Sequence, residues 1–182
     1  MSAFPILHRT AELVRADETG RTVFGLAVPY GVDTDIREHG SSYIERFAPG
    51  AFARSIDERG SKVRLFVGHE ARRLPIGRAT ELREASDGLH AAFHIPATRD
   101  GDDALELVRT GVVDAFSIGF RPIRNRQDGD VTVRTEAALI EVSLVGIPAY
   151  EGAAVAGVRT ASPALSVDVA RRRLDLILKT WT

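Results

Sequence analysis

A chain of 182 residues, 44% hydrophobic and 27% charged, has the make-up of one soluble globular domain with a real hydrophobic core. A formal net charge of −1 supplies no basic face for bulk attraction to nucleic acid or to an anionic membrane. With no cysteine, disulfides, a thiol nucleophile and thiolate metal sites are excluded, and a reducing cytoplasm is permitted.

In chain order, Ala11–Ala16 and Thr22–Val28 read as two strands of a hairpin, joined through Asp17-Glu18-Thr19-Gly20. Val32 to Ser42 is polar and glycine-bearing, and reads as an exposed loop. A short helix follows over Ala51–Asp57, with Phe47, Phe52 and Ile56 on its inner side; at that length packing must hold it more than propensity. Lys62–Gly68 alternates Val63, Leu65 and Val67 against Arg64 and Phe66, which predicts a strand that delivers His69-Glu70 at its end. Ala71–Pro75 is a charged loop. Ile76–Ala85 and Leu89–Pro96 form a strand pair across Ser86-Asp87-Gly88, since Asp-Gly favours a hairpin turn.

Asp100–Arg109 carries Asp102 and Asp103 in its first turn, Arg109 in its last and Gly111 beyond, the charge order of a helix with Leu105 and Val108 inward. Val113–Phe120 is a strand with Phe116, Ile118 and Phe120 on one face and only Ser117 and Gly119 on the other. A turn at Asp128-Gly129 leads to strands over Val131–Thr135 and Ala138–Gly146, and Ala153–Val158 reads as one last strand. From Ser166, apolar residues at spacings of three and four predict an amphipathic helix behind the joint Ser162-Pro163. The expected architecture is mainly β with peripheral helices, a closed or nearly closed barrel over residues 1–160. Residues 161–182 are expected to form a C-terminal amphipathic helix that can detach. No apolar run is long enough to span a membrane, and the chain is expected in the cytosol.

Three polar residues stand at the ends or small faces of apolar strands: His69, Ser117 and Glu141. Taken singly, each has a structural explanation. A strand-end histidine meets solvent, a serine fits under a crossing backbone, and a buried glutamate needs only a partner. Together they supply a weak nucleophile, a base that works near neutral pH and a carboxylate to fix its tautomer. Ser143, among apolar residues of the last long strand, is a rival nucleophile. Glu141 is expected to share a face with Leu139, Ser143 and Val145. Metal chemistry is less favoured: His69 and Glu70 are adjacent and would point to opposite faces, while His90 and His94 share a strand face two pleats apart.

Four blocks in order resemble the prohead maturation proteases of tailed phages. They are Ala48-Pro49-Gly50-Ala51-Phe52; Phe66-Val67-Gly68-His69-Glu70 with Ile76-Gly77-Arg78; Phe116-Ser117-Ile118-Gly119-Phe120; and Leu139-Ile140-Glu141-Val142-Ser143-Leu144-Val145 with Pro148-Ala149. No block is decisive alone, but their joint occurrence from about Thr22 to Val158 is specific. The resemblance implies a fold related to the herpesvirus assembly proteases, with Ser117 as nucleophile and His69 as its base. Glu141 would take the third place, where the herpesvirus relatives carry a second histidine. It also implies oxyanion donors near Ala149–Gly152. The chain departs from the family in having Gly68 and Glu70 beside His69, where the phage enzymes often have Asn and Asp.

The implied function is a serine endopeptidase without metal or cofactor that cleaves phage capsid or scaffold protein inside the assembling prohead in the host bacterial cytoplasm. A homodimer or higher oligomer is left open. The alternative is a non-catalytic barrel that serves capsid assembly as a structural or scaffold-binding component.

Overall fold

The computed structural model describes residues 7–12, 20–38 and 41–146. Nine strands make one sheet: β1 (Leu7–Glu12), β2 (Thr22–Pro29), β3 (Thr34–Glu38), β4 (Ser41–Phe47), β5 (Arg64–Val67), β6 (Gly77–Glu84), β7 (Gly88–His94), β8 (Ala115–Asp128) and β9 (Val131–Val145). Two α-helices, α1 (Ala53–Arg59) and α2 (Arg99–Arg109), and a short 3-10 helix over Gly60–Lys62 complete the described elements.

The main path of the sheet is β1-β8-β9-β5-β6-β7-β2, with β3 and β4 off it. It does not close into the barrel that the many short strands led us to expect. The reason lies in β9, whose full length is paired antiparallel to β8 while its other edge is divided between two parallel partners. Val131–Arg134 pairs with β4, and Val142–Leu144 pairs with β5. The sheet therefore forks at β9, and its main path ends in β1 and β2.

Several local expectations change with this topology. Ala11 and Glu12, the described part of the first expected strand, belong to β1, which pairs with β8, and β2 pairs with β7; residues 13–19, the rest of the expected hairpin, lie outside the described residues. The segment expected as a loop from Val32 to Ser42 contains β3 and the start of β4. Its polar composition hid them: among its described side chains Ile36 alone joins the core, and while β3 pairs with β4, the second partner of β4 is distant β9, at Ile44–Phe47. The two strands expected over 131–146 are one, carried through register shifts that absorb the irregular stretch opposite Pro122. The last strand, the terminal helix and the loop at Ala149–Gly152 lie outside the described residues.

The core follows the sequence pattern closely. Phe116, Ile118 and Phe120 are fully buried with Val23, Leu65, Leu89, Phe93, Ile95 and Val142. Phe120 meets Phe47 edge-on at 5.1 Å, and Phe47 stacks on Phe52 at 5.3 Å, which seats α1. The amphipathic face of α2 adds Ala104, Leu105 and Val108. Thr98 caps that helix by accepting a hydrogen bond from the Gly101 N–H at 3.2 Å.

A second, polar centre ties the fork together. Glu45 on β4 is fully buried between the guanidinium groups of Arg9 on β1 and Arg134 on β9. Arg134 Nε donates to Glu45 Oε2 at 2.6 Å, and the Tyr43 hydroxyl accepts from both arginines. One carboxylate thus links three strands that are remote in sequence.

Candidate active site

Ser117 lies in the one stretch of β8 that is buried residue after residue, Ala115–Phe120. Its ladder partner on β9 is Ser143, and two residues on, Gly119 faces Glu141. A register shift after Gly119 leaves Ile140 without a ladder partner, so Leu139 pairs with Phe120 and joins the apolar core. Glu141 and Leu139 therefore do not share a face as strict alternation predicts. The bulge lets an apolar core and a carboxylate occupy positions two residues apart on one strand.

His69 arrives from β5, which runs parallel to β9 with Phe66 opposite Ser143 and Val67 opposite Leu144. The chain then turns through two left-handed residues, Gly68 (φ 58°) and His69 (φ 61°). Glycine adopts this conformation freely, but for a histidine it costs on the order of 1–2 kcal/mol. Hydrogen bonds hold the turn in place: Gly68 N–H donates to the Leu144 carbonyl at 3.0 Å, and Ala71 N–H to the His69 carbonyl at 2.8 Å. The His69 N–H donates to Ser143 Oγ at 3.1 Å.

The three candidate residues meet in one chain of contacts. His69 Nε2 lies 2.7 Å from Ser117 Oγ, and His69 Nδ1 lies 2.6 Å from Glu141 Oε1. An ionised carboxylate only accepts hydrogen bonds, so the proton of the neutral imidazole sits on Nδ1 and Nε2 is left to accept from the serine hydroxyl. Ser117 is 2% exposed and Glu141 6%, whereas the His69 side chain keeps 21% of its surface open. The imidazole is the open member of the three, and the two side chains that contact it are shielded.

Residues 10–166 match the family described as caudovirus prohead serine protease. The chain belongs to that family. Among characterised relatives it is 28% identical over 120 residues to the prohead protease of Enterobacteria phage HK97, covering 62% of this chain and 52% of that one. It is 34% identical over 86 residues to the prohead protease of Escherichia phage T5, covering 46% and 40%. The chain spans about half the length of the curated relatives it matches. A solved structure, the bacteriophage T4 capsid assembly protease, aligns with a TM-score of 0.46 and 8% identity over 69% of this chain and 97% of that one.

Within this prohead protease family member, Ser143 has a place that the sequence did not suggest. Its hydroxyl donates to Glu141 Oε2 at 2.8 Å while accepting from the His69 backbone, and it is fully buried. As a rival nucleophile it is thus already engaged by the carboxylate and the turn. Gly119, on the small face of the Ser117 strand, is closely approached by Glu141. The signal for both was the strand pairing itself, which puts two serines opposite one another and a glycine opposite the acid. Among the described residues, His90 also has a polar contact, 2.9 Å from Asp87 at the β6–β7 turn, and takes no part in the site.

Proposed function

We propose that the chain is a serine endopeptidase of prohead maturation, with Ser117 as nucleophile, His69 as general base and Glu141 as the group that orients the imidazole. The reading rests on one observation, the continuous path from Ser117 Oγ through both imidazole nitrogens to the Glu141 carboxylate. In the acylation step His69 Nε2 takes the hydroxyl proton as Ser117 Oγ bonds to the scissile carbonyl carbon. Glu141 stabilises the imidazolium that forms, and the same proton is then given to the leaving amine as the C–N bond breaks. Water, deprotonated by the same imidazole, hydrolyses the acyl-enzyme and restores Ser117. The substrate of this reading is phage capsid or scaffold protein inside the assembling prohead. The order of base, nucleophile and orienting group is the trait we read as shared with the herpesvirus assembly proteases, with Glu141 in place of their second histidine.

A cleft of about 340 Å³ opens beside the His69 turn, with Gly68 and Glu70 at its rim. Phe66, Val67, Leu74 and Leu107 supply apolar wall; Arg73 is paired with Asp100, and Glu70 and Asp103 leave the lining net negative. We assign it to a substrate side chain next to the scissile bond, an apolar one with a basic neighbour. Incubating the purified chain with candidate capsid and scaffold proteins tests the proposal, with a fluorophosphonate probe as a second readout. Cleavage that is absent in Ser117→Ala, and a probe adduct that mass spectrometry locates on Ser117, are the expected results. No cleavage and no adduct would favour a non-catalytic assembly component.

A further inference from the structure

We infer that Ser143 and Gly119 form a socket that fixes the Glu141 carboxylate and the His69 turn together, which makes both positioning residues for the proteolysis proposed above. The inference rests on that reading. A carboxylate can turn about its terminal bond, so a single contact does not define where its two oxygens lie. Here each oxygen has its own assignment: Oε1 meets His69 Nδ1 at 2.6 Å, and Oε2 accepts from Ser143 Oγ at 2.8 Å. The same Ser143 oxygen accepts the His69 backbone N–H at 3.1 Å. One hydroxyl therefore sets both ends of the Glu141–His69 contact, the carboxylate directly and the imidazole through its own backbone.

The backbone end is where support is needed. His69 is the only non-glycine at positive φ among the described residues, and a left-handed histidine persists only where its surroundings hold it. On the other side of the carboxylate, Gly119 supplies room. A Cβ there would stand 2.5 Å from Glu141 Oε1, 3.1 Å from its Cγ and 3.2 Å from its Cδ. The atom most nearly struck is the oxygen that receives His69 Nδ1. Glycine is thus required by the close approach of Glu141 rather than by a turn. The ladder puts both residues where they act: Ser143 is the partner of Ser117, and Gly119 is the partner of Glu141. Apolar packing does not explain a serine at 143, because its neighbours Val142 and Leu144 turn to the core and its hydroxyl turns to the site.

The test compares wild type, Ser143→Ala, Ser143→Thr and Gly119→Ala as full chains. It measures the rate of fluorophosphonate acylation at Ser117, kcat and KM on a cleaved substrate, and the downfield proton resonance of His69 Nδ1–H. Ser143→Ala is expected to acylate about 10- to 100-fold more slowly, the scale set by small misplacement of a reacting group. KM should stay within about twofold, and the Nδ1–H resonance should move, because the proton's acceptor is no longer held. Ser143→Thr, which keeps a hydroxyl, should recover most of the rate. Gly119→Ala keeps Ser143 intact and should lose rate to a similar degree by displacing Oε1. A folded Ser143→Ala variant with wild-type acylation and an unmoved resonance overturns the socket. If Ser143→Ala does not fold, Gly119→Ala decides alone, and wild-type acylation there overturns it equally. Absence of a Ser117 adduct in the wild type is a different result, one that removes the nucleophile assignment itself.

Discussion

At the scale of single residues, Ser117, His69 and Glu141 differ in what their loss should do. Ser117→Ala removes the proposed nucleophile from a site whose packing does not need the hydroxyl. Proteolysis should fall to background, while circular dichroism and the melting temperature stay as in wild type. Glu141→Gln leaves serine and histidine in place but replaces an acceptor with a group that can also donate to the imidazole. Turnover of the folded protein should drop by about 10²–10⁴-fold and still exceed that of Ser117→Ala. Unchanged turnover with a lowered melting temperature would instead make Glu141 a structural residue and leave a Ser117–His69 dyad. The three were singled out in the sequence because each is a polar group at the end or on the small face of an apolar strand. Ser143 and Gly119 were not legible in their roles, because those depend on which strand lies opposite.

At the scale of elements, β5 and α2 frame the cleft beside His69, and each can be disturbed separately from the chemistry. Leu107 lies on the exposed side of α2 and lines the cleft. Leu107→Arg should raise KM for peptide substrates several-fold or more, while acylation by the small fluorophosphonate stays near wild type. Equal loss in both measurements would place the damage in the site rather than in the cleft. The α2 cap gives a contrast in stability alone: Thr98→Ala removes the acceptor for Gly101 N–H and should cost about 1 kcal/mol in denaturant unfolding, with kcat unchanged. Elements with strong periodicity, such as α2 and the Ser117 strand, were readable because local pattern and burial agree. β3 and the start of β4 were not, since their few inward side chains leave no periodic signal, although the two pair with one another.

For the whole molecule, the buried Arg9–Glu45–Arg134 centre and the Tyr30–Glu84 contact carry the testable energetics. Glu45→Gln leaves two buried guanidinium groups without their shared counter-charge, and a loss of about 3–5 kcal/mol in unfolding free energy is expected. A loss under about 1 kcal/mol would mean that the centre is solvated or replaceable. Tyr30 is buried and its hydroxyl donates to Glu84, whose Oε1 also accepts from Phe52 N–H at 2.9 Å. Burial first, then the hydrogen bond and the negative charge of Glu84, push the phenol well above its usual value of 10.0. The folded chain thus keeps this proton where the unfolded chain releases it. The Tyr30 contribution to stability is present in full below pH 10 and is lost as pH rises beyond it. Stability measured above pH 10 should decline less steeply in Tyr30→Phe than in wild type.

The sequence by itself determined which residues are apolar, where α2 begins and ends, and which three polar groups sit at the ends or on the small faces of apolar strands; those properties belong to neighbouring residues and need no knowledge of the far chain. Its ordered blocks also carried the family resemblance. Only the tertiary structure decided that β9 divides its edge between β4 and β5, so that the sheet forks instead of closing. The same is true of Glu45, whose two arginines come from distant strands, and of the bulge that brings Leu139 and Glu141 to different surroundings. Strand pairing is a contest among distant partners, settled by burial of the whole core. Its outcome fixes the contacts Ser117–His69, His69–Glu141 and Glu141–Ser143, which no local pattern encodes.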